Sequence, residues 1–453
     1  MYDTPLTDAL APVANALLKA AKAAGADAAD AIAIEGRSVS IDMRKGGLEH
    51  AERAEGLDIG LRVFIGTRQA CISSSDTRPE TLEAMANRAV AMAREAPDDP
   101  HAGLAETSQL AMLRSAEGLD LFDPTAEPDP ASLQDDAARA EAAALAVKGV
   151  TQVQAASAAY GKQAIWLAAT NGFQGGYARS SRHISCVAIS GEGTGMERDW
   201  ASEGRIYQED LPAPDEIGAL AGSRAAERAN PRKPRTGTYP VLYDERIASS
   251  LIGHLTSAIN GTAIARGSSW LKDGLGEPVL PKGITLTENP LRPRRAGSRP
   301  FDAEGLQSRI KDLVADGILQ SWVLDLATAR KLGLESTANA TRGPSAPPSP
   351  STSNLLLTQG TKTRAELMAE MGTGLLVTSL IGATINPTTG DYSRGASGFW
   401  VENGEIAYPV NECTIAGNLR EMLGRIIPAN DGRDHLSSVI PSLLVEGMTL
   451  AGD

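Results

Sequence analysis

The chain has 453 residues, with 43 Lys+Arg against 56 Asp+Glu and a net charge of -13, so two or three cores are expected rather than one. That acidic balance opposes phosphate backbones and anionic lipid surfaces over long range and disfavours direct nucleic-acid or membrane binding. Cys71, Cys186 and Cys413 lie far apart with no CxxC pair, which suits a reducing cytoplasm rather than a disulfide framework.

Taken in chain order, Leu6, Leu10, Val13, Leu17 and Ala21 recur at spacings of three and four, the period of an amphipathic helix. The acidic start of this stretch does not read as a secretory signal, and no apolar run in the chain reaches the ~18 residues of a membrane span. Short alternating runs follow, AADAIAIEG, SVSIDMR, GLDIGLRVFIG and RQACISSS, separated by glycine-containing turns; they predict a meander of antiparallel strands. Pro79 then opens a helix with Leu82, Met85, Ala89 and Met92 on one face. An Ala-rich helix over 131–147, alternating runs from VTQVQAASAAY to RDWASEGRIYQ, and the helix PDEIGALAGSRAAERA repeat that order. The pattern hints at a duplicated helix, meander, helix unit, with repeats over 1–100 and 125–230 of an N-terminal α+β domain spanning 1–230.

The basic, proline-containing joint NPRKPRTGTYPV at 230–241 is the expected boundary, and a β-rich α+β domain is expected over 236–453. Asp244-Glu245 open the helix after the strand TYPVLY, a position that capping explains at least as well as acid/base work. Asp316-Gly317 and Asn403-Gly404 each stand between apolar-alternating runs and predict tight hairpins. The segment TANATRGPSAPPSPSTS at 337–353 is too polar to bury much surface and reads as an exposed loop or flap.

The histidines, His50, His101, His183, His254 and His435, do not cluster and form neither His-x3-His nor HExxH. His183 and Cys186 lie three apart in a strand, so alternation sends them to opposite faces. His254 stands on the flank of the apolar stripe of the helix IASSLIGHLTSAIN, with Ser250, Ser257 and Ala258 as helical neighbours and no carboxylate within a turn. A boundary histidine that packs its ring and hydrogen-bonds a hydroxyl or carbonyl is the favoured reading there, ahead of a metal ligand. No GxSxG elbow or SxxK box occurs, and GEGTG at 191–195 lacks the spacing of a phosphate cradle and reads as a hairpin loop. One loop is dense in donors and acceptors: NPTTGDYSRGASG, with Asp391, Tyr392, Ser393 and Arg394. It is equally consistent with a ligand-facing surface and with a solvated turn.

Several blocks, GRSVSIDMRKGGLEHAERAEGLDIGLRVFIG, ARGSSWLKDGLGEPV, ARKLGLESTANATRG, TGDYSRGASGFWVENGEIAYPVNECTIAGNL and SLLVEGMTLAG, together resemble the TldD/PmbA family across residues 26–453, and within it the PmbA (TldE) branch. The resemblance implies a cytoplasmic protein linked to metallopeptidase activity or to modulation of DNA gyrase. In that family a TldD subunit and a PmbA/TldE subunit form a heterodimeric zinc protease acting on peptides, including microcin precursors and unfolded small proteins. The TldD subunit carries HExxxH on a helix, two histidines sharing the ion while the glutamate activates bound water, and a cysteine near its C-terminus.

Counting back from the shared RGSS that begins at Arg266, the HExxxH positions fall on Ile252, Gly253 and Ser257, with His254 between them. NDGRDHLSSVIPSLLVEG runs through without the cysteine-containing insert, and Cys413 lies in a different strand. The resemblance therefore implies a chain with no catalytic residues and no metal of its own, with zinc held by a TldD-type partner. Asp391, Tyr392, Ser393 and Arg394, with His254 and Arg266, are the expected peptide-contacting residues, and isolation as a homodimer is compatible with this expectation. The alternatives are an autonomous homodimeric hydrolase and a peptide-binding regulator of gyrase.

Overall fold

The computed structural model describes residues 7–452, apart from the side chain of Ala383; Leu6 of the first expected helical stripe lies outside them. Helix α1 (Leu10–Ala23) is followed by β1 (Ala28–Arg44), β2 (Gly47–Ile65), β3 (Arg68–Ser74) and α2 (Pro79–Glu95). The same order returns as α3 (Pro130–Leu145), β4 (Val150–Ala169), β5 (Gln174–Ser190), β6 (Glu197–Arg205) and α4 (Pro214–Glu227). The two meanders join through β1 and β4 into one antiparallel sheet in the order β3-β2-β1-β4-β5-β6.

Alternation along β1 explains which face each half covers. Ala29, Ala31 and Ala33 pack under α1 and α2, and Val39, Ile41 and Met43 pack under α3 and α4. Ile32, on the opposite face, meets Leu121, Phe173 and Phe301, so that side is where the C-terminal half docks. Helices α3 and α4 cross at Gly218, where a Cβ would stand 2.0 Å from the Ala140 carbonyl oxygen, a close approach that only glycine permits.

The C-terminal half begins with β7 (Gly237–Tyr243), α5 (Glu245–Ala258) and α6 (Gly261–Arg266). A small sheet then takes the order β10-β9-β8-β13-β18, built from β8 (Leu286–Glu288), β9 (Lys311–Ala315), β10 (Ile318–Leu319), β13 (Leu355–Leu357) and β18 (Ser438–Val439). Helix α7 (Leu326–Leu332) and the short pair β11 (Ala340–Thr341) and β12 (Ser349–Pro350) sit between β10 and β13. After α8 (Arg364–Met371) come β14 (Gly374–Ile385), β15 (Asp391–Glu402), β16 (Glu405–Asn418), α9 (Leu419–Leu423), β17 (Ile427–Pro428) and β19 (Leu443–Ala451).

Strand β16 pairs with both β15 and β19, so β16-β15-β14-β7-β19 closes on itself as a barrel, with β17 added beside β19. Closure removes most of the sheet edges that an open sheet would leave. Both expected hairpins are present: Asp316 and Gly317 take φ of 48° and 82°, and Asn403 and Gly404 take 52° and 81°, the positive pair that a two-residue primed turn requires. GEGTG is the connection between β5 and β6. No helix among the described residues is long and apolar enough to cross a membrane.

The segment 337–353 departs from the flap expected of it. Ala338, Asn339 and Ala340 are buried, and the Arg342 side chain, 1% exposed, reaches an ion pair with Asp30 of β1. Pro344 crosses β2 so closely that a Cβ on Gly60 would lie 2.2 Å from its carbonyl oxygen. Thr341, Gly343, Ser345, Ala346, Pro347 and Ser349 remain exposed. Composition misled here because one buried arginine, paired across the molecule, anchors an otherwise polar stretch.

Candidate functional site

Helix α5 is held at its start by a network of buried charges. The Asp244 side chain accepts from the Arg246 backbone N–H at 3.1 Å, as a helix N-cap, and pairs with the guanidinia of Arg246 at 3.0 Å and Arg364 at 2.5 Å. Arg246 also reaches Asp199 of β6 at 3.1 Å, and Arg228, beside Asp199, donates to the Ser397 hydroxyl of β15 at 2.6 Å. The network thus ties the N-terminal sheet to the barrel and sets the height of α5.

More than two turns further along α5, His254 is half-buried with its ring edge-on to Tyr392, centroids 5.7 Å apart and planes at 74°. Tyr392 meets Tyr243 hydroxyl to hydroxyl at 3.3 Å, and the Tyr243 hydroxyl lies 3.6 Å from the Met448 sulfur. The ring packing expected of His254 is present, whereas the hydrogen bond expected with it is not found at Nε2, which is buried without a partner among the described residues. Burial, and then the neighbouring Arg394 charge, push the His254 pKa below its ordinary value, so the ring is neutral at neutral pH. Burial and the contact with Tyr392 raise the Tyr243 phenol well above its ordinary value.

The four residues 391–394 do not converge. Tyr392 and Arg394 share the face of β15 turned toward His254, and alternation sends Asp391 and Ser393 the other way. Asp391 is exposed and accepts from the Thr389 hydroxyl at 2.6 Å and from Asn418 at 3.2 Å. Asn386 accepts from the backbone N–H groups of Thr388 and Thr389. The polar density of this loop is therefore used in building its own turn. Half-buried Ser393 stands opposite Thr384, and Arg394 donates to the Gly382 carbonyl at 2.6 Å.

At the HExxxH-aligned positions, Ile252 is 1% exposed and belongs to the core. Gly253 has open space where a side chain would project, and the Ser257 hydroxyl donates to the Gly253 carbonyl at 2.8 Å. Beside this helix, β14 pairs with β7 only through Leu375–Val377. From Ser379 onward its side away from β15 has no partner strand among the described residues, and Ile381 there is 68% exposed.

Arg266 belongs elsewhere. It ends α6 at the mouth of a cavity of about 430 Å³, together with Lys331 of α7, His101, Glu304, and Arg62 and Gln69 from the N-terminal sheet. Neither this cavity nor Tyr243 and Met448 was signalled by a motif, because each is assembled from segments far apart in sequence.

Models of the PmbA/TldA metallopeptidase match three stretches: domain 1 over residues 29–93, the central domain over 123–230 and the C-terminal domain over 236–452. Metalloprotease PmbA of Escherichia coli O157:H7 is 37% identical over 94% of this chain and 92% of its own length. The chain belongs to the PmbA/TldD family. A PmbA homolog from Haemophilus influenzae is 34% identical over 95% of this chain and 93% of that protein. A gyrase-modulator structure from Bacteroides thetaiotaomicron superposes with a TM-score of 0.91 at 26% identity, over 99% of this chain and 100% of that one. TldE of Thermococcus kodakarensis shares the fold at a TM-score of 0.83 and 18% identity, over 97% and 100% of the two chains. The PmbA/TldD fold thus accounts for nearly every described residue.

Proposed function

We propose that this chain is the zinc-free subunit of a two-protein zinc peptidase, pairing with a TldD-type catalytic subunit to enclose an extended peptide or unfolded small protein. The observation that carries the reading is the donor chemistry of α5. A zinc ion needs three or four convergent nitrogen, sulfur or carboxylate donors. An isoleucine in the core, a glycine and a serine bonded to its own helix do not fit that need. The relatives Metalloprotease PmbA and TldE support the peptidase-family part of this reading.

The free edge of β14 suits the peptide-holding half of the task. An extended chain adds to such an edge through backbone hydrogen bonds, leaving alternate side chains to neighbouring pockets. The edge lies beside α5, so His254 and Arg394 are placed to shape the floor under a docked peptide, while Asp391 and Ser393 lie on the far face.

Peptide cleavage is expected only when this chain and a TldD-type subunit are mixed. Ile381→Lys, which puts a charge on the exposed edge, is expected to raise KM for peptide about tenfold, equivalent to about 1.4 kcal/mol of docking. The zinc content of the pair should be unchanged. An unaltered KM would remove the β14 edge from the account.

A further inference from the structure

The cavity that Arg266 borders has an uneven distribution of unsatisfied groups. Its two exposed cations, Arg266 and Lys331, sit at the rim, and neither side chain has a hydrogen bond or ion pair among the described residues. Its inner wall carries Glu304, 8% exposed, with one carboxylate oxygen accepting from the Leu326 backbone N–H at 2.8 Å. Gln69, from the N-terminal sheet, also lines the cavity and holds a side-chain carbonyl oxygen that is buried and without a donor. Arg62, the remaining inner cation, is already engaged by Asp30 at 2.8 Å. A buried acceptor without a donor is costly unless something satisfies it.

We infer that this cavity binds a short zwitterion, a free α-amino acid or a dipeptide, with its ammonium inward on Glu304 and Gln69 and its carboxylate outward on Arg266 and Lys331. The chemistry matches group for group: a carboxyl and an amide oxygen call for N–H donors, and an unpaired guanidinium and ammonium call for a carboxylate. The volume of about 430 Å³ admits a molecule of that size. The site lies apart from the β14 edge and does not depend on that edge's role.

Glu304 also gives the binding a proton signature. Burial, and then the Asp302 charge, push its carboxyl up to about 8, against the opposing pull of Arg62 and with a further push from Asp325. It is therefore mostly protonated at pH 7, and an ammonium docking on it favours the ionised form, releasing the proton. Asp99, His101 and Asp325 are the other titratable groups on the cavity wall besides its three cations.

The test is calorimetric titration of the full chain with L-alanine, L-alanyl-L-alanine, the N-acetyl dipeptide, the dipeptide amide and inorganic phosphate. One or both zwitterions should bind, and which one decides between amino acid and dipeptide. Each blocked analogue should bind at least about tenfold more weakly, as should the zwitterion to Arg266→Ala or Lys331→Ala, whose surface positions leave folding intact. At pH 7 close to one proton should be released, read from buffers of different ionisation heat, and Glu304→Gln should abolish that release. Failure of both zwitterions to bind, equal binding of the blocked analogues, or tighter binding of phosphate would overturn the assignment.

Discussion

Asp30→Ala is expected to destabilise the folded chain by about 3–5 kcal/mol, the usual cost of removing one partner from a buried ion network. Asp30 stands across the ladder from Arg62 and also receives Arg342, and all three side chains are at most 4% exposed. Burial by itself would push the Asp30 carboxyl up, but Arg342 and Arg62 together hold it below the ordinary carboxylate range. Its stabilising effect is thus present above the unfolded-state pKa and is lost as pH falls through the lowered folded value.

Removing the carboxylate leaves two buried guanidinia without their shared counter-ion. Asp30→Asn, which keeps the shape, should be nearly as damaging at neutral pH, whereas a packing loss alone would make it mild. Adding Arg342→Met to Asp30→Ala should recover part of the loss. Because Arg342 anchors 337–353, protease cleavage near the exposed Ser345 and Ala346 should accelerate in Asp30→Ala. Denaturation midpoints and limited proteolysis read both effects; an unchanged midpoint would show that the triad contributes nothing net.

The second large effect is pH-dependent. Glu304 keeps its proton in the folded chain up to about 8, while in the unfolded chain it ionises near ~4.3. Between those values the folded state binds more protons than the unfolded one, so this group's effect is a loss of stability as pH rises through the window. Each pH unit in it is worth about 1.4 kcal/mol. Glu304→Gln keeps an acceptor for the Leu326 N–H and cannot ionise. It should match the parent near pH 5 and exceed it by several kcal/mol, on the order of the full window, at pH 8.5. Thermal midpoints of both proteins from pH 5 to 9 decide this; parallel curves would refute the buried, proton-holding carboxyl.

What the sequence made legible follows from the range over which each signal acts. Strand alternation, the Pro-opened helices and the Asp-Gly and Asn-Gly turns depend on neighbours a few residues apart, and the repeated helix, meander, helix order was readable from them. Arg342 pairs with a carboxylate 312 positions away, so the polar composition around it gave no hint of burial. The candidate site was legible in part. His254 and Tyr392 were both singled out and do meet, but the run Asp391, Tyr392, Ser393, Arg394 was read as a unit where strand alternation divides it. Arg266 was named beside His254 as a peptide-contacting candidate, while the fold turns it toward the cavity against the N-terminal sheet. Glu304 and Gln69 were overlooked because neither belongs to a motif and the fold alone brings these distant positions to one cavity.

The most direct test of the central claim is the zinc content of the purified chain by elemental analysis, measured alone and in complex with a TldD-type subunit, alongside peptide cleavage. The account predicts no stoichiometric zinc and no cleavage for this chain alone, with one zinc per pair and cleavage in the complex. Stoichiometric zinc together with cleavage by this chain in isolation would contradict it.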